Sequence, residues 1–292
     1  MSTSTAETDR PTPFIMSKDL GRPLDTKTFA IPNTNADGLA AIPLTDEQKY
    51  QFDNQGWIVV PSVLGAAEVD EMRTFCQQLS KDPESIPLHE RSPAGGPLQQ
   101  LTDHPVILGF MNEFVAYPPL ASPECYGFRM EMTSLHVRES GVGRFGAHNG
   151  SGMMRFPGDT HIYRTFPGAA HSGLTCVVWE LSDIDPGDGG TLFVSGSHKS
   201  AFTAPASLQD PESPLWQTYS CPAGSLLIFS EATTHSGVPW TNAQRDRVAI
   251  FTRYNTVCSK WHKWEPHPEL LAAMPAKRQT LYRPVYCQDN VV

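Results

Sequence analysis

The strongest constraint on the fold is a change of texture near residue 125. Before it, apolar residues recur at helical spacing. After it come short β-rich runs separated by Gly/Pro turns. Thr45-Asp46-Glu47-Gln48 offers a helix N-cap followed by acidic first-turn residues, so a helix is expected to run to about Asn54, where Gly56 breaks it. Trp57-Ile58-Val59-Val60 reads as a buried strand stopped by Pro61. Val69, Met72, Phe75 and Leu79 then mark one face of a second helix opening at Gly65. A third helix is expected over 105–115. Beyond residue 125, strands are expected over 128–137, 174–181, 192–194, 225–229 and 248–254. Their turns are marked by Asp185-Pro186-Gly187-Asp188-Gly189-Gly190 and Pro222-Ala223-Gly224. Helices first and many short strands afterwards predict an α+β chain with a sandwich or jelly-roll second part.

Composition bounds the rest. At 292 residues, with 39% apolar and 18% charged, one sizeable core is expected, and 22 glycines with 26 prolines suit many turns. Residues 1–40 are rich in Ser, Thr, Pro, Asp and Asn. They read as a flexible arm or one laid over the surface, leaving 41–292 as a single domain. A net charge of −9 without a Lys/Arg block argues against nucleic acid and anionic membrane as partners. No stretch approaches a membrane span or a signal peptide. The six cysteines, Cys76, Cys125, Cys176, Cys221, Cys258 and Cys287, are scattered without a CxxC, as expected of a reducing, cytoplasmic setting. Oligomeric state is not legible.

Ten histidines stand out in a chain modest in ionisable groups. His148 ends a strand-like run, His235 follows the strand at 225–229, and Arg247 opens the next strand. Two imidazoles on neighbouring strand ends of a small barrel can bind one metal from the same side, leaving positions open for a co-substrate and oxygen. An arginine nearby can fork onto a buried carboxylate. From spacing alone, structural or exposed histidines are the commoner case.

Three segments carry a family resemblance. Residues 45–48 with Gly56-Trp57-Ile58-Val59-Val60-Pro61 and Glu68-Val69-Asp70-Glu71-Met72 resemble the N-terminal helix–strand–helix of phytanoyl-CoA dioxygenase-like proteins. Thr175-Cys176-Val177-Val178-Trp179-Glu180-Leu181, Gly189-Gly190-Thr191-Leu192 and Ser195-Gly196-Ser197-His198-Lys199 are similar to that family's central part. Ala223-Gly224-Ser225-Leu226-Leu227-Ile228-Phe229, His235 and Arg247 resemble its closing strands.

Over residues 44–255 the resemblance implies a double-stranded β-helix of the jelly-roll or cupin kind, flanked by N-terminal helices. It implies Fe(II), 2-oxoglutarate and O2 as cofactors, and oxidation of a C–H bond in a small-molecule substrate. It also implies His148 and His235 as iron ligands, Arg247 as the partner of the 2-oxoglutarate carboxylate, and Trp179 as an aromatic beside that co-substrate. His198 reads as a structural turn residue. Substrate contacts are expected around residues 129–136, the insert at 151–164 and the segment 261–264, with Arg129, His161, His171 and Trp264 as candidates.

One position departs from the pattern. The family motif His-x-Asp carries a carboxylate ligand, and here the third residue is Gly150. Three outcomes differ physically. A halide such as chloride can take the vacated position, as the resemblance to Fe/2-oxoglutarate halogenases implies. A carboxylate from elsewhere can fill it, with Asp159 in the insert as the candidate. Or the barrel can be a non-catalytic, cupin-like binding protein. A zinc hydrolase using the same histidines leaves Arg247 without a role.

Overall fold

The computed structural model describes residues 31–148 and 160–286. Gly150 and Asp159 lie outside them. Three helices come first: α1 (Asp46–Gln55), α2 (Ala66–Lys81) and α3 (Pro105–Phe114), with strand β1 (Trp57–Val60) between the first two. Eight strands follow: β2 (Phe128–Arg138), β3 (Tyr163–Phe166), β4 (Ala169–Ser172), β5 (Thr175–Glu180), β6 (Gly190–Phe193), β7 (Ser225–Ser230), β8 (His235–Val238) and β9 (Arg247–Thr256). Two short helices, α4 (Pro268–Ala273) and α5 (Ala276–Gln279), come last.

Helix α1 starts where the sequence places it. The Thr45 hydroxyl accepts from the Gln48 amide at 3.2 Å, and the Gln48 side chain accepts from the Thr45 amide at 2.9 Å, so two otherwise orphaned donors are satisfied. The helix ends at Gly56 in the left-handed region, φ 81°. A Cβ there would sit 2.4 Å from Thr233 Oγ1 and 2.5 Å from His198 Nδ1, so only glycine lets this turn approach the β7–β8 loop.

The main sheet is antiparallel throughout, in the order β1-β7-β5-β9-β2. A smaller sheet pairs β6 with β8, and β3 with β4 forms a separate hairpin. The first core lies on the helix side of the main sheet. There Val177 and Trp179 of β5, Leu226 and Ile228 of β7 and Ile250 of β9 pack with Phe52, Met72 and Phe110. The second core lies on the other face, towards the small sheet, and contains Cys176, Val178, Leu227, Phe229, Ala249, Phe251 and Phe193. The central strands are therefore covered on both faces, which is why β5 and β7 read as unbroken buried runs. This is the jelly-roll core with flanking helices that the sequence implies.

A bulge in β2 decides what faces the inner side. Its register with β9 shifts between Met130 and Met132. Before the shift, Phe128 and Met130 point to the helix-side core. After it, Met132, Ser134, His136 and Arg138 lie opposite Arg253, Phe251, Ala249 and Arg247, on the inner face. One inserted residue thus transfers the even-numbered positions from one face to the other.

The described end of the N-terminal arm is laid over the protein and pinned there. The Ala36 amide donates to Asp103 at 3.1 Å, the Asn112 side chain donates to the Pro32 carbonyl at 2.8 Å, and Arg278 bridges Asp37 and Asp103. Among the described residues no helix is long and apolar enough to cross a membrane.

Candidate metal centre

His148 and His235 meet through the backbone. His148 N donates to His235 O at 3.0 Å and His235 N to His148 O at 2.9 Å, an antiparallel bridge at the first residue of β8. A directly opposed pair projects its side chains to the same side, and the two ring centroids stand 4.2 Å apart. Each ring is oriented by its other nitrogen. His148 Nδ1 lies 2.7 Å from the Gly146 carbonyl, and His235 Nδ1 lies 2.8 Å from the Thr233 carbonyl. A carbonyl only accepts, so each Nδ1 carries a proton and Nε2 is the atom each ring can offer to a metal, the arrangement typical of metal-ligating histidines. Burial pushes the His235 ring down to about 4, against the opposing influence of Glu231, and so keeps it neutral at neutral pH.

Glu231 completes the group. Its carboxylate and the two imidazoles offer ligand atoms that all lie within 4.8 Å of one another. Burial alone would raise this carboxyl. Its interactions with neighbouring His235 and with the Arg253 guanidinium, which donates to it at 2.8 Å, outweigh burial, and the net direction is downward. Two imidazoles and one buried carboxylate are a donor set suited to a divalent first-row metal such as iron. The residues present fit the metal.

Arg247 lies on the same inner face, but not as an open fork. Its Nε donates to Glu180 Oε2 at 3.1 Å and its Nη2 pairs with Glu180 Oε1, while Tyr219 donates to the same carboxylate at 2.6 Å. Glu180 is the neighbour of Trp179 on β5, and the alternation of the strand sends the two to opposite faces. The third nitrogen, Nη1, is buried without a hydrogen-bond partner. Arg138 stands directly across the strand pair and forms no ion pair among the described residues. Burial and the like charge of Arg247 both lower its pKa. An unsatisfied buried guanidinium nitrogen beside a second arginine is a place for an anionic oxygen, so the residues also fit the distal carboxylate of 2-oxoglutarate.

Other expected site residues fall elsewhere. Trp179 faces the helix side, edge-on to His104 at 5.2 Å, because odd-numbered positions of β5 point there. The expectation that it borders the co-substrate is corrected by that alternation. Phenylalanine at position 179 should therefore leave the KM for 2-oxoglutarate within about twofold of wild type while lowering stability by about 1–2 kcal/mol, read by turnover and by denaturant melts.

Arg129 is also structural. It is 1% exposed and donates to the Ser259 and Arg283 carbonyls, tying β2 to the C-terminal segment. Trp264 packs with Tyr282 against the helix-side core. His171 sits on β4 opposite Arg164, apart from the three-residue group. His161 stays near the centre: it contributes to the electrostatics of Glu231 and meets Trp261 edge-on at 4.6 Å. His198 is held by the Asp53 carbonyl at 3.0 Å, as expected of a structural residue.

Residues 52–249 match the family model described as phytanoyl-CoA dioxygenase (PhyH). The chain belongs to this family. No functionally curated protein matches it. Among solved structures, HygX from Streptomyces hygroscopicus with nickel and 2-oxoglutarate bound is similar at 22% identity and a TM-score of 0.60, over 77% of this chain and 91% of that one. EctD from S. alaskensis is similar at 17% identity and a TM-score of 0.55, over 87% and 93%. SnoK, a non-haem α-ketoglutarate-dependent carbocyclase of nogalamycin biosynthesis, is similar at 17% and 0.53, over 88% and 97%. These likenesses show a shared fold across the PhyH chain.

Within that fold, the sequence does not single out Glu231 as a metal-side residue, nor Glu180, Arg138 and Arg253, whereas His136 falls in the strand 129–136 expected to face the substrate. Parity carried a signal for one of them. Arg253 is six residues from Arg247, so a regular strand places both on one face.

Proposed function

We propose that this PhyH-family protein is a non-haem Fe(II)- and 2-oxoglutarate-dependent oxidoreductase acting on a C–H bond of a small molecule. The observation that carries the reading is the directly opposed pair of imidazoles together with a buried arginine, on the inner face of β9, whose Nη1 has no hydrogen-bond partner. His148 and His235 would hold the iron. Arg247 Nη1, with Arg138 beside it, would hold the distal carboxylate of 2-oxoglutarate.

When bound, iron and 2-oxoglutarate supply the oxidising power: O2 is divided between substrate and co-substrate, giving a hydroxylated product, succinate and CO2. The chain's own residues orient and desolvate. Phe193 and Phe229 pack around His235 and exclude water from its side of the centre. Burial and then the charges of Arg138, Arg247 and Arg253 push His136 down to about 4, so it stays neutral and adds no further positive charge to the inner wall. His161 and Trp261 lie towards the exposed side, where a substrate would enter.

Small-molecule substrates are consistent with the relatives. One HygX structure holds nickel, 2-oxoglutarate and hygromycin B. The Gly150 position is the single observation favouring a halogenase, and Glu231 beside both histidines weighs against it.

The test is oxygen consumption and succinate formation with a panel of small C–H substrates. Activity that requires Fe(II), 2-oxoglutarate and O2 together supports the reading. Hydrolytic activity with zinc and no oxygen requirement would overturn it.

A further inference from the structure

We propose that Glu231 supplies the carboxylate ligand that position 150 lacks, so that the metal is held by His148, Glu231 and His235. This deepens the oxidoreductase reading and rests on it for the identity of the metal.

Three observations carry the proposal. First, Glu231 Oε2 lies 3.5 Å from His235 Nε2. Nδ1 is committed to the Thr233 carbonyl, so Nε2 is the ring atom that faces Glu231. His148 approaches the same point, and ligand atoms of all three residues lie within 4.8 Å of one another, close enough for one ion to be held by all three. Second, the other oxygen is already occupied. Arg253 Nε donates to Glu231 Oε1 at 2.8 Å, which fixes the carboxylate plane and leaves Oε2 as the ligand atom.

Third, the turn carrying Glu231 and His235 is tied down at nearly every residue. The Glu231 amide donates to the Leu174 carbonyl at 2.9 Å, and the Thr233 amide donates to Ser230 at 2.9 Å. The Thr233 hydroxyl donates to the Gly56 carbonyl at 3.0 Å, and the Thr234 amide to the Ser197 hydroxyl at 2.7 Å. A turn so held presents its two side chains without a large ordering cost. The carboxylate has moved from the strand end bearing His148 to the turn bearing His235. The centre then needs no exogenous anion, which directs the reaction to oxygen transfer rather than halide transfer.

The test measures Mn(II) binding by titration calorimetry in chloride-free buffer, without 2-oxoglutarate, for wild type, Glu231→Gln and the double variant Glu231→Gln/Gly150→Asp. The glutamine keeps an acceptor for Arg253 and removes the anion. Affinity should fall by about 100-fold or more in the single variant and recover in the double variant to within about tenfold of wild type. Added chloride should leave wild-type affinity unchanged. A fall of less than tenfold in Glu231→Gln would overturn the proposal.

A second measurement uses wild type alone and so does not depend on a variant folding. A crystal structure of the Mn(II)-loaded protein should place Glu231 Oε2 at about 2.0–2.2 Å from the metal. Glu231 remaining on Arg253 alone, with water or chloride in its place, would overturn the assignment. Wild-type protein that binds Mn(II) through Glu231 yet never turns over 2-oxoglutarate would instead sink the oxidoreductase reading and leave the ligand assignment standing.

Discussion

Replacing His148 by alanine is expected to remove Fe(II) binding and 2-oxoglutarate turnover while leaving the fold intact. His148 is exposed, and its bond to His235 runs through the backbone, so truncating the ring costs little packing. The contrast with its function is large. Losing an outer-shell partner of a metal ligand typically costs about 10- to 100-fold in affinity, and losing the ligand itself should exceed that. The measurement is Fe(II) or Mn(II) affinity alongside thermal unfolding of the metal-free protein. An unchanged melting temperature with metal binding lost is the expected result. Unchanged metal affinity would mean the histidine pair is structural.

Arg247→Leu should have the second large effect, and it acts on two quantities at once. Burial alone would lower the guanidinium pKa, but the Glu180 carboxylate more than offsets this and the net direction is upward. Removing one member of such a pair leaves the other buried without a counter-charge, which costs about 3–5 kcal/mol. The double variant Arg247→Leu/Glu180→Leu should regain most of that stability, since two apolar side chains tolerate the interior between Val178 and Ala249. It should not regain 2-oxoglutarate. A charge-assisted hydrogen bond of about 1.5–3 kcal/mol corresponds to roughly a 10- to 100-fold rise in KM. Denaturant melts and 2-oxoglutarate saturation curves on both variants separate the structural part of Arg247 from its co-substrate part. Normal saturation by 2-oxoglutarate in the double variant would remove Arg247 from the site.

These two residues and their neighbours show which parts of the architecture a sequence can disclose. Helix α1 is legible because its start and stop are local chemistry, a Thr/Gln capping box and a left-handed glycine. Strands β5, β7 and β9 are legible because both faces are buried and the apolar run is continuous. The same continuity hides which face is which, so the family pattern alone puts Trp179 on the wrong side. Its neighbour Glu180 held the answer: a glutamate inside such a run needs a cation, and Arg247 is on the inner face.

The β3–β4 hairpin is not legible because residues 163–172 mix Arg, Thr, Pro, Gly and His without a clean alternation. The β2 bulge is set by pairing with β9 and leaves no mark in the sequence. It alone brings His136 and Arg138 to the inner wall. Within the site, His148 and His235 came from the family pattern. Glu231 did not, because it stands four residues before the second histidine rather than two after the first.

The central claim is that one inner face holds iron and 2-oxoglutarate together. It is tested most directly by anaerobic addition of 2-oxoglutarate to the Fe(II)-loaded protein, followed by visible absorption. A weak charge-transfer band that saturates near one equivalent, and that is absent in His148→Ala, is the predicted result. No band in wild-type protein that has been shown to carry Fe(II) would contradict the account.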